Sequence, residues 1–473
     1  MPAYRPVIGL EIHVRLDSRT KAFCACANDP SAAANRNTCP VCMGHPGALP
    51  LPAREFVRMG IAAALMADAS ISERLRFDRK NYFYPDLPKG YQITQAAEPI
   101  GRGGGISIVF DGELLRIPLR QVHIEEDAGR TIHRGDEIWL DFNRCGAPLA
   151  EFVTEPAINS PAEAAEVFRE ARRMMMFAGL TRGDMQSGDL RCDANISLES
   201  GGRPGVRTEI KNLNSFRHLE RALEFEIKRQ SALLDSRAEI ISQTLSWNED
   251  KHIVEPMRDK ETTADYRYFP EPDIPDFFIE KEFIASIEMN LPELPAFSEW
   301  KLISHDGLSG GQAREISGTR GRLEFFRDCA IYINKDRVSF ANFLTNDIFP
   351  KFEKKGSIQY NPETITGVYE LTAGGRAGRE SIGEIIKCMK QNGIDALSAA
   401  RRLGALRDTS SELIGDAARR AIDENPEAVD NYINGKSKAL GYLVGRAMAY
   451  TGGRVDPKLI SQKIKEMISQ KIR

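Results

Sequence analysis

Residues 7–16, VIGLEIHVRL, alternate apolar Ile8, Leu10, Ile12, Val14 and Leu16 with polar Glu11, His13 and Arg15. That is the two-residue period of a strand with one face in a core. Its other face must then carry Glu11 and His13 side by side. LRCDANISL repeats the pattern with Arg191, Asp193, Asn195 and Ser197 on one side, and VRTEIK does so with Arg207, Glu209 and Lys211. A sheet built from these strands exposes rows of acids, bases and amides where an ordinary solvated face carries Thr, Ser and Lys at random.

Helices are inserted among the strands. SPAE at 160–163 is a capping box with proline at the first helical position, and AAEVFREARRMMMFAG continues at helical spacing to a glycine stop. NSFRHLERALEFEIKRQSALL is a second amphipathic helix. The chain to about residue 292 therefore predicts an α+β fold. Beyond LPELPAF the pattern turns helical: EFFRDCAIYI, SFANFLTNDIF, SIGEIIKCMKQNG, and the long stretch NPEAVDNYINGKSKALGYLVGRAMAY from 425 to 450. In PKLISQKIKEMISQKIR, Ile460, Ile464, Met467 and Ile468 form one stripe with lysines opposite. These shifts divide the chain into residues 1–292, 293–403 and 404–473, within the two to four domains that 473 residues suggest.

The net charge of −3 conceals an asymmetry. From 431 to 473 nine Lys or Arg stand against two acids, so this end carries +7 and the remainder −10. A basic module on an acidic body suits a polyanion gripped at one end; a solvated helix surface has the same composition. No stretch approaches the roughly 18 apolar residues of a membrane span, and no secretory signal opens the chain. The expected compartment is the cytoplasm, or the matrix of an organelle.

Cys24, Cys26, Cys39 and Cys42 form C-x-C-x12-C-x2-C, two short knuckles that can bring four thiolates to a closed, structural zinc site. Four reduced thiols would have the same spacing. Cys145, Cys192, Cys329 and Cys388 read as buried small residues. HIEEDAGR supplies Glu125, Glu126 and Asp127, and APLAEFVTEP supplies Glu151 and Glu155. With His13 they make an oxygen-rich set suited to Mg²⁺, although solvent-facing strand ends also collect acids. No G-x4-G-K-[ST] or G-x-S-x-G motif is present, so a nucleotide would bind without a P-loop and a serine hydrolase has no support.

The most unusual string is FDRKNYFYPDLPKGYQIT, residues 77–94. Pro85 and Pro88 bias the residues before them away from helix, Gly90 permits a tight approach, and the spacing leaves open whether Tyr82, Tyr84 and Tyr91 are core or contact. This string, with IGLEIHVRL, CPVCMGHPGALP, HIEEDAGR, DFNRCGAPLAE, GDLRCDANIS, EIKNLNSFRHLE, DYRYFPEPD and NGKSKALGYLVG, resembles the B subunits of the tRNA-dependent amidotransferases, from residue 7 into the tail. The related E subunit carries a large domain inserted after DYRYFP. Here only about twenty residues separate Pro272 from LPELP, which favours the B type.

The resemblance implies a cradle-shaped catalytic domain, a helical domain and a YqeY-like, tRNA-binding tail. It implies a heterotrimer with an amidase subunit, GatA, and a small subunit, GatC. The expected reaction is ATP-dependent transamidation of Glu misacylated on tRNA(Gln), or Asp on tRNA(Asn), with ammonia drawn from glutamine; a non-catalytic assembly subunit is the alternative. It implies Mg²⁺ held by His13, Glu126 and Glu151, with Glu11, Glu125 and Asp193 as second choices. Strict alternation disagrees at Glu126, which it places with Ile124 unless a bulge or the strand's end intervenes. Lys80, Arg191 and Lys211 are expected at phosphate, Tyr82 or Tyr84 beside the aminoacyl end, and structural Zn²⁺ on the cysteine quartet.

Overall fold

The computed structural model describes residues 4–29, 31–257, 266–333, 336–354, 356–408, 410–453 and 455–472. Its contacts divide the chain into two units, 1–305 with 317–319, and 306–316 with 320–473. The helix Pro295–Ser304 belongs to the first unit, where Arg173 bonds both Glu299, at 2.5 Å, and Ser317. Together the units bear out the α+β class, a sheet-rich first part and a helical second part.

The first unit is built on a ten-stranded sheet. Its middle is antiparallel: Thr208–Leu213, Leu190–Glu199, Arg5–Arg15, Pro148–Thr154 and Glu113–Glu126, in that order across the sheet. The alternation of the first strand is realised as written, with Ile8, Leu10, Ile12 and Val14 each 1% exposed or less. They share a core with residues of the helices Arg54–Met66, Pro161–Phe177 and Phe216–Asp235, among them Phe56, Phe168 and Leu223. The Ser160 side chain accepts from the Glu163 N–H, as the capping box requires.

One glycine fixes which face of the Glu113–Glu126 strand meets a helix. A Cβ on Gly60 would lie 2.6 Å from Ile124 Cγ2, so only glycine lets the Arg54–Met66 helix seat on that strand. Ile124 is thereby pinned inward, and its neighbours His123 and Glu125 are turned to the opposite face.

The second unit is helical. Its last four helices, Ser411–Asp423, Pro426–Ile433, Lys438–Tyr450 and Pro457–Ile472, enclose a core that includes Ile414, Ala418, Leu443, Ile460, Ile464 and Ile468. The stripe read from the sequence is the buried one; Met467 is only partly covered. The stretch 425–450 is two helices, because Gly435 adopts φ 85° and ends the first. Lys436, Lys438, Arg446, Lys458 and Lys465 are exposed. Among the described residues no helix is long and apolar enough to cross a membrane.

Replacing Gly60 by Ala is expected to destabilise the chain by about 1–3 kcal/mol, the usual cost of overpacking a filled core. Gly383→Ala, where an added Cβ meets nothing within 4 Å inside a helix, should be neutral or stabilising. Chemical denaturation of the two variants beside the parent checks both signs.

Candidate active site

Sheet register assembles the site. His123 faces Glu151, Glu151 faces His13, and His13 faces Arg191 across four adjacent strands. Directly opposed residues share one face and approach closely, so residues 123, 151, 13 and 191 form a continuous row of imidazole, carboxylate, imidazole and guanidinium. Glu125, two residues beyond His123, lies on the same face. One step the other way, Glu11 faces Asp193, and Asn195 donates to Glu11 at 3.1 Å.

His13 Nδ1 stands 3.5 Å from Glu125 Oε1 and 3.4 Å from Glu151 Oε2, yet has no hydrogen-bond partner among the described residues, although it is buried. One ligand atom from each of His13, Glu125 and Glu151 falls within 4.8 Å of the others. A buried imidazole nitrogen set between two carboxylates, at 3.4–3.5 Å from each, fits a divalent cation held by nitrogen and oxygen. Burial opposes ionisation of Glu125, but the imidazoles of His123 and His13 and the charge of Lys80 outweigh it and hold its carboxyl well below the usual range. Glu151 is likewise buried, yet His123 and His13 hold it down at about 2.

The expected ligand Glu126 is not in this group. It shares a face with Ile124, as alternation required, and no bulge turns it; its Oε1 accepts from the Ile93 N–H at 2.9 Å and from the Lys89 ammonium. Glu125 is the acid that lies beside His13 and Glu151, and Thr94 Oγ1 donates to it at 3.1 Å.

Other expected residues surround the trio to different degrees. Lys80, on the strand Asp78–Asn81, has its Nζ 4.9 Å from the Tyr266 ring centre. Burial alone would lower its pKa, but Glu125, Tyr268 and Glu151 raise it well above the ordinary lysine value. Arg191 and Arg144 both reach Asp127, at 3.3 and 3.2 Å. Tyr82 donates to Gln92 at 3.0 Å and packs edge-on against Tyr84 and Tyr266. Tyr84 itself is half exposed. Lys211 lies 3.3 Å from Glu209, and Asp193 accepts from the Asn212 N–H.

The four knuckle cysteines converge: one sulfur from each lies within 4.8 Å of the rest, within reach of one ion with bonds of ~2.3 Å. Cys42 is pushed down to about 4, chiefly by the Cys24 thiol, with the Cys39 N–H and Lys21 contributing. Lys21 is wholly buried, its Nζ 2.6 Å from the Asn37 carbonyl, 3.3 Å from the Phe142 carbonyl and 3.6 Å from Cys42 Sγ. A buried ammonium needs an anion, and a four-thiolate zinc site, with net charge near −2, would supply one. The other four cysteines are all buried.

Residues that motif reading passed over are His123, Lys89 and Lys21. The signal for His123 was present in HIEE, where His123 and Glu125 share a strand face. Lys89 and Lys21 take partners in the folded chain that no local spacing announces.

The sheet that carries the acidic site and most of the helices that follow it lie in regions that match family models. Residues 6–285 match the family model described as the GatB/GatE catalytic domain, and 324–468 that described as the GatB domain. The chain belongs to the GatB/GatE family, on its GatB side. It is 38% identical over 478 residues to the B subunit of the aspartyl/glutamyl-tRNA(Asn/Gln) amidotransferase of Thermotoga maritima, covering 98% of this chain and 99% of that one. To the corresponding B subunits of Carboxydothermus hydrogenoformans and Moorella thermoacetica it is 37% and 36% identical, covering 99% and 98% of this chain and 100% of each relative.

Lys21→Met should weaken zinc binding by roughly 10- to 100-fold, the usual effect of losing an outer partner of a metal site, and Cys39→Ser with Cys42→Ser should abolish it. Chelator competition and elemental analysis measure the two. Were the quartet four neutral thiols, neither change would alter metal content.

Proposed function

We propose that this chain carries the kinase and transamidation site of an ATP-dependent, glutamine-hydrolysing amidotransferase acting on Glu-tRNA(Gln), Asp-tRNA(Asn) or both. What supports it most is His13 Nδ1, which faces Glu125 and Glu151 and has no hydrogen-bond partner among the described residues, in a chain whose full-length relatives are named as aspartyl/glutamyl-tRNA(Asn/Gln) amidotransferase B subunits. The trio of His13, Glu125 and Glu151 would hold Mg²⁺, which supplies neutralising charge where a phosphate and a carboxylate must meet.

A carboxylate is a poor acyl electrophile because its own charge repels a nucleophile. Phosphorylation removes that obstacle: a side-chain oxygen of the tRNA-borne Glu or Asp attacks the γ-phosphorus, ADP departs, and ammonia displaces inorganic phosphate from the acyl carbon. Lys80 and Arg191 are permanent cations at the rim of the trio, suited to draw in phosphate oxygens. Lys211 and Asp193 lie one row further along the same face, and Glu11 faces Asp193 there. Tyr82, with Tyr266 and Tyr268, forms an aromatic wall that shields the reacting groups from water, and half-exposed Tyr84 suits the approach of the aminoacyl end.

The ammonia would come from a partner amidase subunit, GatA, in a heterotrimer completed by the small subunit GatC, with the work done in the cytoplasm or an organelle matrix. In this reading residues 1–292 are the catalytic domain, 293–403 a helical connector, and the basic tail 404–473 the part that grips tRNA backbone.

In the reconstituted complex, Glu125→Gln or His13→Ala should lower ATP cleavage on Glu-tRNA(Gln) at least 100-fold, the scale of losing a metal ligand together with its charge compensation. Unchanged cleavage would leave the chain a non-catalytic tRNA-binding and assembly subunit.

For the tail, replacing Lys438, Lys458 and Lys465 by Gln should raise KM for aminoacyl-tRNA while leaving KM for ATP unchanged. The salt dependence of tRNA binding should flatten by about 0.7–0.9 for each phosphate no longer neutralised. Filter binding across a salt series reads the slope.

A further inference from the structure

His123 is buried and lies directly across from Glu151 in the sheet. Its Nε2 stands 2.8 Å from Glu151 Oε2 and 3.8 Å from Glu125 Oε2. Its other ring nitrogen lies 3.4 Å from the Gln121 side-chain amide, a residue two positions back on the same strand face. Glu151 is therefore flanked in its row by two imidazoles in different situations. His13 Nδ1 has no hydrogen-bond partner among the described residues; His123 Nε2 already spends itself on Glu151.

We propose that His123 is a positioning residue for the cation site: it grips Glu151 Oε2 so that the carboxylate stays turned toward His13 and Glu125. This rests on the reading that those three residues hold a divalent cation. A glutamate side chain has three rotatable torsions and wide freedom when nothing holds its end. Held at one oxygen by a group fixed in the sheet, it presents the carboxylate in one orientation, which is how outer partners of metal ligands raise affinity. Direct ligation by His123 is disfavoured by the same geometry, because a nitrogen donating to Oε2 has no lone pair to offer a cation there.

The test uses Mn²⁺ as the probe, titrated into the purified, zinc-loaded full chain and followed by electron paramagnetic resonance. His123→Ala should weaken Mn²⁺ binding by roughly 10- to 100-fold and broaden the bound-ion spectrum as Glu151 becomes variable. His123→Gln, whose amide nitrogen can reach the same oxygen, should restore most of the affinity. His13→Ala should remove the bound signal altogether. Wild-type affinity in a folded His123→Ala chain overturns the proposal while leaving the site intact, provided His13→Ala still abolishes binding. If His123→Ala loses the signal as completely as His13→Ala and Gln restores nothing, His123 is a ligand and the positioning role is wrong. If His13→Ala and Glu125→Gln bind Mn²⁺ like the parent, the cation site itself fails. Should His123→Ala not fold, the His123→Gln titration alone decides, with near-parental binding expected and a His13→Ala-like loss contrary to it.

Discussion

The antiparallel register of the Arg5–Arg15 strand with its two neighbours is the constraint on which everything else depends. Because His13 pairs with Glu151 on one side and Arg191 on the other, three strands far apart in sequence deliver their charges to one patch. A slip of one residue would reverse the faces, sending Ile12 into the site and His13 into the core. The apolar halves of the same strands prevent the slip. Ile8, Leu10, Ile12 and Val14 are packed against helices, so the energy that holds the core also holds the site.

The charges gathered there are too many to tolerate unless each is answered. Asp127 is held by two arginines, Glu151 by His123, and Glu125 by Thr94 and the surrounding cations. The knuckle packs against the same neighbourhood. A Cβ on Gly44 would strike Lys89 at 2.6 Å, and one on Gly146 would lie 3.5 Å from Cys42 Cβ and 3.7 Å from Glu126 Oε2. The cysteine site thus braces the lysine that pairs with Glu126, and its physical contribution is to hold a loop at the back of the acidic strand.

Much of this was legible before the fold was known, and the reasons are specific. Alternation in VIGLEIHVRL and LRCDANISL located His13, Asp193 and Arg191 on polar faces, because a half-buried strand leaves no other choice. The cysteine spacing announced the quartet. What the local pattern could not show was partnership across distant strands. Nothing in LDSRTKAF marks Lys21 as a buried cation, and nothing in PDLPKGYQ marks Lys89 as the partner of Glu126, since both depend on loops that meet only in the folded chain. The family resemblance named Glu126 as a ligand where alternation placed that side chain with Ile124, and the backbone follows alternation.

The two faces of that strand end show how two adjacent acids can both be buried. Glu125 and Glu126 are consecutive on a strand, so their side chains leave opposite faces, and each carboxylate must find a cation on its own side. The segment FDRKNYFYPDLPKGYQIT supplies both. Lys80, before the turn, is the ammonium that feels Glu125 most among its anionic neighbours, and Lys89, after it, bonds Glu126. Just after Lys89 the strand Tyr91–Thr94 adds the Ile93 N–H to Glu126 and the Thr94 hydroxyl to Glu125. The prolines and Gly90 that shape the turn are what bring the two lysines back to the two faces of one strand end. On one face the result is a sealed ion pair, which fixes the strand. On the other it leaves an ionised carboxylate beside His13 and Glu151, a set of nitrogen and oxygen donors suited to a divalent cation.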